Sequence, residues 1–257
     1  MSRAITKLTG PPQPRHGLFL PTIMAGRAAA MAAGVSSVAA AIWRGITLSF
    51  YMLLRASEIF AYDDGLVHPD FCIRIADIDF RQNGRQLPLT ARATADEVRV
   101  TLRGSKNDQQ RKGACIPLTM TNRGPADPVQ IMIDLCDALP PGIDGSYPLL
   151  SVRDQHGRVR CVTRTEAGHA IKALASAAGL NPDNYHTHSL RAGGATTLAH
   201  KRVPDRLIKQ AGRWRSDTYR DYIRDNLDDY RRITGALATS AAAAPTIVHP
   251  PASTNRR

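Results

Sequence analysis

His188 and Arg191 stand three residues apart in His186-Thr187-His188-Ser189-Leu190-Arg191-Ala192-Gly193-Gly194. On a helix that spacing puts both side chains on one face. It pairs a proton-transfer group with a planar, permanently charged clamp for phosphate oxygens. The segment reads as the start of a helix, where free backbone N–H groups and the positive end of the dipole also favour a phosphate. Downstream, Gly212-Arg213-Trp214 and Tyr219-Arg220-Asp221-Tyr222-Ile223-Arg224 add an indole donor and two phenol hydroxyls. Upstream, Leu53-Leu54-Arg55-Ala56-Ser57-Glu58-Ile59 sets an Arg near a helix end amid apolar neighbours, where a charge needs a partner. Each piece alone has a plainer reading. HxxR arises by chance, most Trp are core anchors, most Tyr are half-buried packing, and Arg55 is a salt-bridged structural residue.

The composition points the same way. The chain has 257 residues, 34 Lys+Arg against 22 Asp+Glu, and a formal net charge of +12. Six of the basic residues are Lys and 28 are Arg. Arg suits bidentate phosphate contacts better than Lys does, so a polyanion, first of all nucleic acid, is the partner class to test. At 43% hydrophobic residues the chain has enough apolar content for a packed core of one or two domains. The Ala-rich stretch around Ala28–Ala41 is interrupted by Gly34 and two Ser, a poor membrane span, and Met1–Arg15 lacks a secretory signal's apolar core. An intracellular protein is expected: nuclear if eukaryotic, otherwise in the cytoplasm or nucleoid. Cys72, Cys115, Cys136 and Cys161 form no CxxC pair, so neither a disulfide framework nor a zinc site is expected.

The elements that must position these residues follow from periodicity. Residues 1–20, rich in Pro, Gly and basic residues, read as a disordered tail. Ser36 to Tyr62 reads as helix through Ile42, Ile46, Phe50, Leu53, Leu54 and Ile59. Three short strands, Ile73–Phe80, Glu97–Arg103 and Gly113–Leu118, follow, the last two joined by the turn-rich Gly104-Ser105-Lys106-Asn107-Asp108. Helices are expected at Asp127–Leu139, Arg164–Ala178 (with Thr163 as N-cap), Ser189–His200, Pro204–Ala211 and Asp217–Arg232. The expected fold is mainly α with a small antiparallel three-stranded sheet. The domain limits are 21–234, followed by a low-complexity tail at 235–257.

In this order and spacing the pieces resemble the catalytic domain of the tyrosine recombinases: phage integrases, Cre-like recombinases, and the recombinases of DIRS-type and Crypton-type mobile elements. HSLRAGGAT and GRWRSDTYRDYIR look most like the mobile-element branch. The resemblance covers roughly residues 20–232 and implies six catalytic positions: Arg55, Lys106, His188, Arg191, Trp214 and Tyr222. Glu58 would orient the basic groups around it. Lys112, on the same hairpin as Lys106, is the other general-acid candidate. Tyr222 lies eight residues after Trp214, one short of the family's usual spacing, and Tyr219 lies five after, so Tyr219 is the alternative nucleophile. Arg202, Arg206, Arg213, Arg215 and Arg220 are expected on the phosphate backbone of DNA. His186 reads as a loop residue and His169 as exposed.

The resemblance implies DNA strand cleavage and transfer through a 3′-phosphotyrosine, with no metal and no cofactor. The partners it implies are double-stranded DNA and further copies of the chain in a synaptic tetramer, with no membrane. Members of the family also carry a separate helical domain of about a hundred residues ahead of the catalytic one; it is expected to be absent here or encoded elsewhere. Two other activities fit the same residues: nicking and resealing of the topoisomerase IB kind, and a degenerate mobile-element remnant that binds DNA without cutting it.

Overall fold

The computed structural model describes residues 16–104 and 113–223, together with Arg231 and Thr234. Chain contacts divide the protein into a unit ending at Ile223 and a second beginning at Arg224; Arg231 and Thr234 of the second are helical. Lys106 and Lys112 lie outside the described residues, as do the 1–15 and 235–257 parts of the expected tails.

The first unit is built around one buried helix. Helices α1 (Leu20–Ala25) and α2 (Arg27–Met31) lead into α3 (Val38–Tyr51), whose N-terminus is capped by Ser37 accepting from the Ala40 amide at 3.1 Å. Ten consecutive-to-near residues of α3, from Ala40 to Phe50, are buried save Ile42, as expected of a helix enclosed on most sides. Trp43 is anchored there by its indole N–H on the Ile23 carbonyl at 2.8 Å. The helix stops sooner than its periodicity implied. Leu53 adopts a left-handed φ of 49° and Leu54 turns back to the Ser49 carbonyl, so Arg55 stands in extended backbone ahead of a short 3₁₀ turn, Ala56–Glu58, and not in a helix. Leu53, Leu54 and Ile59 keep the apolar spacing because that turn is itself buried.

The sheet has four strands where three were expected. Strands β1 (Ile78–Gln82), β2 (Arg85–Gln86), β3 (Glu97–Leu102) and β4 (Ala114–Thr119) pair antiparallel in the order β2-β1-β3-β4. The extra strand is two residues long and is made by Asn83-Gly84, both with positive φ, an Asn-Gly hairpin turn visible in the sequence. Ile78, Phe80, Val98, Val100 and Leu118 form the buried face, against which α4 (Pro128–Asp137) packs. The Asp127 side chain caps α4 through the Val129 and Gln130 amides. A second, two-stranded sheet, β5 (Ser151–Arg153) with β6 (Val159–Cys161), precedes α5 (Arg164–Ala177). Thr163 caps α5 reciprocally with Glu166, as the sequence predicts.

Two helices complete the unit, α6 (His188–His200) and α7 (Asp205–Gly212), followed by a 3₁₀ segment, Asp217–Tyr222, at the start of the helix expected over Asp217–Arg232, of which residues 224–230 and 232 lie outside the described residues. The packed chain begins before position 21. Leu18 is buried, its amide donates to the Ser189 carbonyl at 2.9 Å, and Gly17 lies against the backbone of Gly193. Burying one Leu side chain contributes about 1.5–3 kcal/mol. A Cβ at Gly193 would collide with the Leu18 carbonyl, and one at Gly194 with Leu53 and the Phe50 carbonyl. The paired glycines after Arg191 are therefore what lets two distant backbone segments close on α6 from either side.

This packing sets apart two glycines in helices. Gly193→Ala must push backbone against backbone and should lower stability by about 1–3 kcal/mol. Gly168→Ala, inside α5 with nothing within 4 Å of its new methyl, should raise it by about 0.5–1 kcal/mol. Thermal melts of the two variants check this; equal melting temperatures would contradict the close approach at α6.

Candidate active site

Arg191 sits in the first turn of α6 and is 1% exposed. One guanidinium nitrogen donates to the Leu53 carbonyl and another to the Gly212 carbonyl, each at 2.5 Å. The left-handed Leu53 and the end of α7 thus aim two carbonyls at one cation, and three separate chain segments meet on it. Its Nε is buried with no hydrogen-bond partner. Burial, with the Arg55 and Arg213 guanidinium groups nearby, pulls the Arg191 pKa down to about 9, while Glu58 and Tyr222 act in the opposite sense. The group stays cationic at neutral pH but is short of counter-charge, and an incoming anion would supply it.

Trp214 lies over this cation, its ring centroid 4.2 Å from the Arg191 Cζ. Gly212 makes that placement possible, because a Cβ there would enter the indole ring. The Tyr222 ring is 5.3 Å from the Trp214 ring and 5.8 Å from the Arg191 Cζ, and its backbone carbonyl accepts from Thr196 Oγ1 of α6 at 3.0 Å. Of the two tyrosines, Tyr219 is 1% exposed, whereas Tyr222 is half-buried beside the cation. Tyr219 also faces Trp214, ring to ring at 6.2 Å, but is buried in the core; Tyr222 is the more exposed of the two phenols beside the cation.

Arg55 comes in from the turn after α3. Its side chain is 18% exposed, and one nitrogen meets Glu58 Oε1 at 3.1 Å. Glu58 Oε2 accepts from the Arg55 amide at 2.8 Å and from the Arg213 guanidinium at 2.7 Å. Glu58 is thus buried and bonded to both basic groups. Arg213 is where sequence reasoning misplaced a side chain. Expected on the DNA surface, it is 10% exposed, bonded to Glu58 and to the Met52 and Leu53 carbonyls. The cause is its left-handed backbone at the end of α7, φ 57°, which nothing in the residue type announces. Arg202, Arg206, Arg215 and Arg220 are exposed, and Arg220 faces Asp205 at 3.5 Å.

His188 is half-buried at the start of α6, with the His186 ring edge-on at 5.7 Å. His186 is in that loop as expected, and its Nδ1 accepts from the His188 amide at 3.2 Å. An open groove of about 480 Å³ runs from Ala56, next to Arg55, past His188 to Arg164, His169 and Lys172 of α5. Among the described residues, no group of three or more His, Cys, Asp or Glu is placed to hold a metal ion, and no helix is long and apolar enough to cross a membrane.

No family model and no curated protein matches the chain by sequence. Solved structures do match it. The XerH site-specific recombinase bound to difH substrate, in a pre-cleavage complex, superposes with a TM-score of 0.53 at 16% identity, over 87% of this chain and 55% of that one. The XerA recombinase gives 0.52 at 17% identity, over 90% and 66%. The Tn1549 transposon integrase in complex with transposon right-end DNA gives 0.50 at 14% identity, over 90% and 69%. The chain shares its fold with these recombinases and with the transposon integrase. It spans from about half to just over two thirds of the length of these three structures.

Gly212→Ala tests the geometry directly. The new methyl must displace the indole, so Trp214 should leave Arg191, and intrinsic fluorescence should shift with a stability loss of about 1–3 kcal/mol. An unchanged emission spectrum would mean that the ring does not lie on the cation.

Proposed function

We propose that this chain breaks and rejoins DNA as a tyrosine recombinase of the mobile-element type, with Tyr222 as nucleophile. The observation that carries this reading is the convergence of Arg55, Arg191, Trp214 and Tyr222, which come from three separate chain segments in a fold shared with site-specific recombinases. The Tyr222 hydroxyl oxygen attacks the scissile phosphorus, the bond to the 5′-oxygen breaks, and a 3′-phosphotyrosine and a free 5′-hydroxyl remain. A 5′-hydroxyl from a second strand then attacks the same phosphorus and releases the tyrosine. One phosphodiester replaces another, so no nucleotide cofactor is consumed.

The residue types meet the electrostatic needs of that step. A phenol with a pKa of about 10 is ionised roughly one time in a thousand at pH 7, so a base or a cationic setting must help. His188 is the base, and the cations around Arg191 favour phenolate. The pentavalent transition state gathers charge on its non-bridging oxygens, where Arg55 would donate and the buried Arg191 cation would add its field, with the N-terminus of α6 behind them. The indole N–H of Trp214 is a further donor. Lys106 would protonate the departing 5′-oxygen. The groove past His188 and the exposed Arg202, Arg206, Arg215 and Arg220 would carry the duplex backbone, which makes binding salt-dependent. Strand exchange calls for further copies of the chain on the DNA.

A nicked duplex whose cleavage product diffuses away traps the covalent adduct. The wild-type chain should form it in excess EDTA. Tyr222→Phe should form none while keeping its DNA affinity, and Tyr219→Phe should form it with reduced stability. On this reading Tyr222, 5.8 Å from the Arg191 Cζ of its own chain, serves that chain's site, so Arg191→Ala mixed with Tyr222→Phe should give no adduct. Adduct in that mixture would mean that the tyrosine is donated to a neighbouring copy, and adduct from Tyr222→Phe alone would overturn the assignment.

A further inference from the structure

Arg213 belongs to none of the roles above. Its side chain is nine-tenths buried, and both terminal nitrogens of its fork are committed to the protein, leaving only a buried Nε without a partner. One nitrogen meets the Met52 and Ala211 carbonyls at 3.0 and 3.2 Å, and another meets the Leu53 carbonyl at 3.2 Å and Glu58 Oε2 at 2.7 Å. The contact between Glu58 and Arg55 is correspondingly thin: a single side-chain hydrogen bond at 3.1 Å through Oε1. Oε2 is already taken by Arg213 and by the Arg55 amide.

A lone carboxylate beside a lone guanidinium in a sheltered site closes into a two-bond fork, in which both charges are spent on each other. Here a second cation occupies half of the carboxylate and prevents this. Arg55, Arg191 and Arg213 carry three positive charges against the one negative charge of Glu58, which leaves a net charge of +2 around the place where a phosphate would sit. We propose that Arg213 is a positioning residue: it holds Glu58 away from a full pairing with Arg55, so that Arg55 keeps donors and charge for the scissile phosphate. This rests on the recombinase reading above.

Two substitutions separate this role from a mere structural prop. Arg213→Lys and Arg213→Gln both lose the fork that grips the carbonyls, but only Gln also loses the charge opposite Glu58. Adduct formation at saturating nicked duplex should stay within about tenfold of wild type in Arg213→Lys and fall about a hundredfold in Arg213→Gln, with duplex affinity changed less than about threefold in either. In a Glu58→Gln background there is no carboxylate charge to restrain, so adding Arg213→Gln should cost less than about threefold. Equal rates for Lys and Gln, or the same penalty in both backgrounds, would overturn the proposal. Should Arg213→Gln alone not fold, the double variant compared with Glu58→Gln decides, and a further loss of about tenfold or more counts against the proposal. If the wild-type chain forms no adduct, the recombinase reading fails and nitrogen-detected NMR of the arginine side chains decides this one. Rotation of the Arg55 terminal nitrogens should slow in Arg213→Gln as they lock onto Glu58, and stay as in wild type in Arg213→Lys. Unchanged Arg55 signals in Arg213→Gln would overturn it.

Discussion

Arg191 is a cation taken out of water and held by backbone carbonyls instead of a carboxylate. Two neutral oxygens, those of Leu53 and Gly212, replace only part of the solvation a guanidinium loses on burial. The surrounding structure serves this arrangement. The left-handed turn at Leu53, the end of α7 at Gly212, the aromatic face of Trp214 and the backbone approach at Gly193 each bring a partner or exclude solvent. A cation so held has little freedom to rearrange when an anion arrives, which is the condition for stabilising charge that exists only in a transition state.

The Glu58 cluster supplies the complementary logic. A buried carboxylate between two guanidinium groups contributes little to stability when its desolvation is counted. Its value lies in setting direction. Through Glu58, the turn after α3 and the end of α7 share one electrostatic restraint, so Arg55 is positioned relative to Arg191 by side chains from both.

Much of this was legible in the sequence, for reasons that differ by residue. Arg55, Glu58, His188, Arg191, Trp214 and Tyr222 were singled out because their types are rare in combination, and the structure gathers Arg55, Glu58, Trp214 and Tyr222 around Arg191; Thr163 was legible because capping is local. The helix expected to run through Ile59 ends at Tyr51 because apolar spacing reports burial, and a buried turn keeps the spacing while breaking the helix. Strand β2 was missed because two residues carry no periodicity, although Asn83-Gly84 marks the turn. Arg213 was misplaced because the direction of a side chain depends on one backbone angle. An Arg beside a Trp in a basic chain carries no sign that φ is positive there. Leu18 was read as tail because its partner Ser189 lies at the far end of the chain.

That last pairing bears on the order in which the protein can be made. During synthesis the Leu18 segment, α1 and α3 leave the ribosome long before α6, and α7 follows later still. Until Ser189 and Gly193 arrive, Leu18 has no backbone partner there, and until Gly212 arrives, Arg191 lacks its second carbonyl. The apolar surface of α3 stays open on that side throughout, the situation in which nascent chains depend on holding factors or aggregate. The buried cation is thus seated among the last of the described contacts to form, and a chain released early would carry the sheet and most of the core without that cluster.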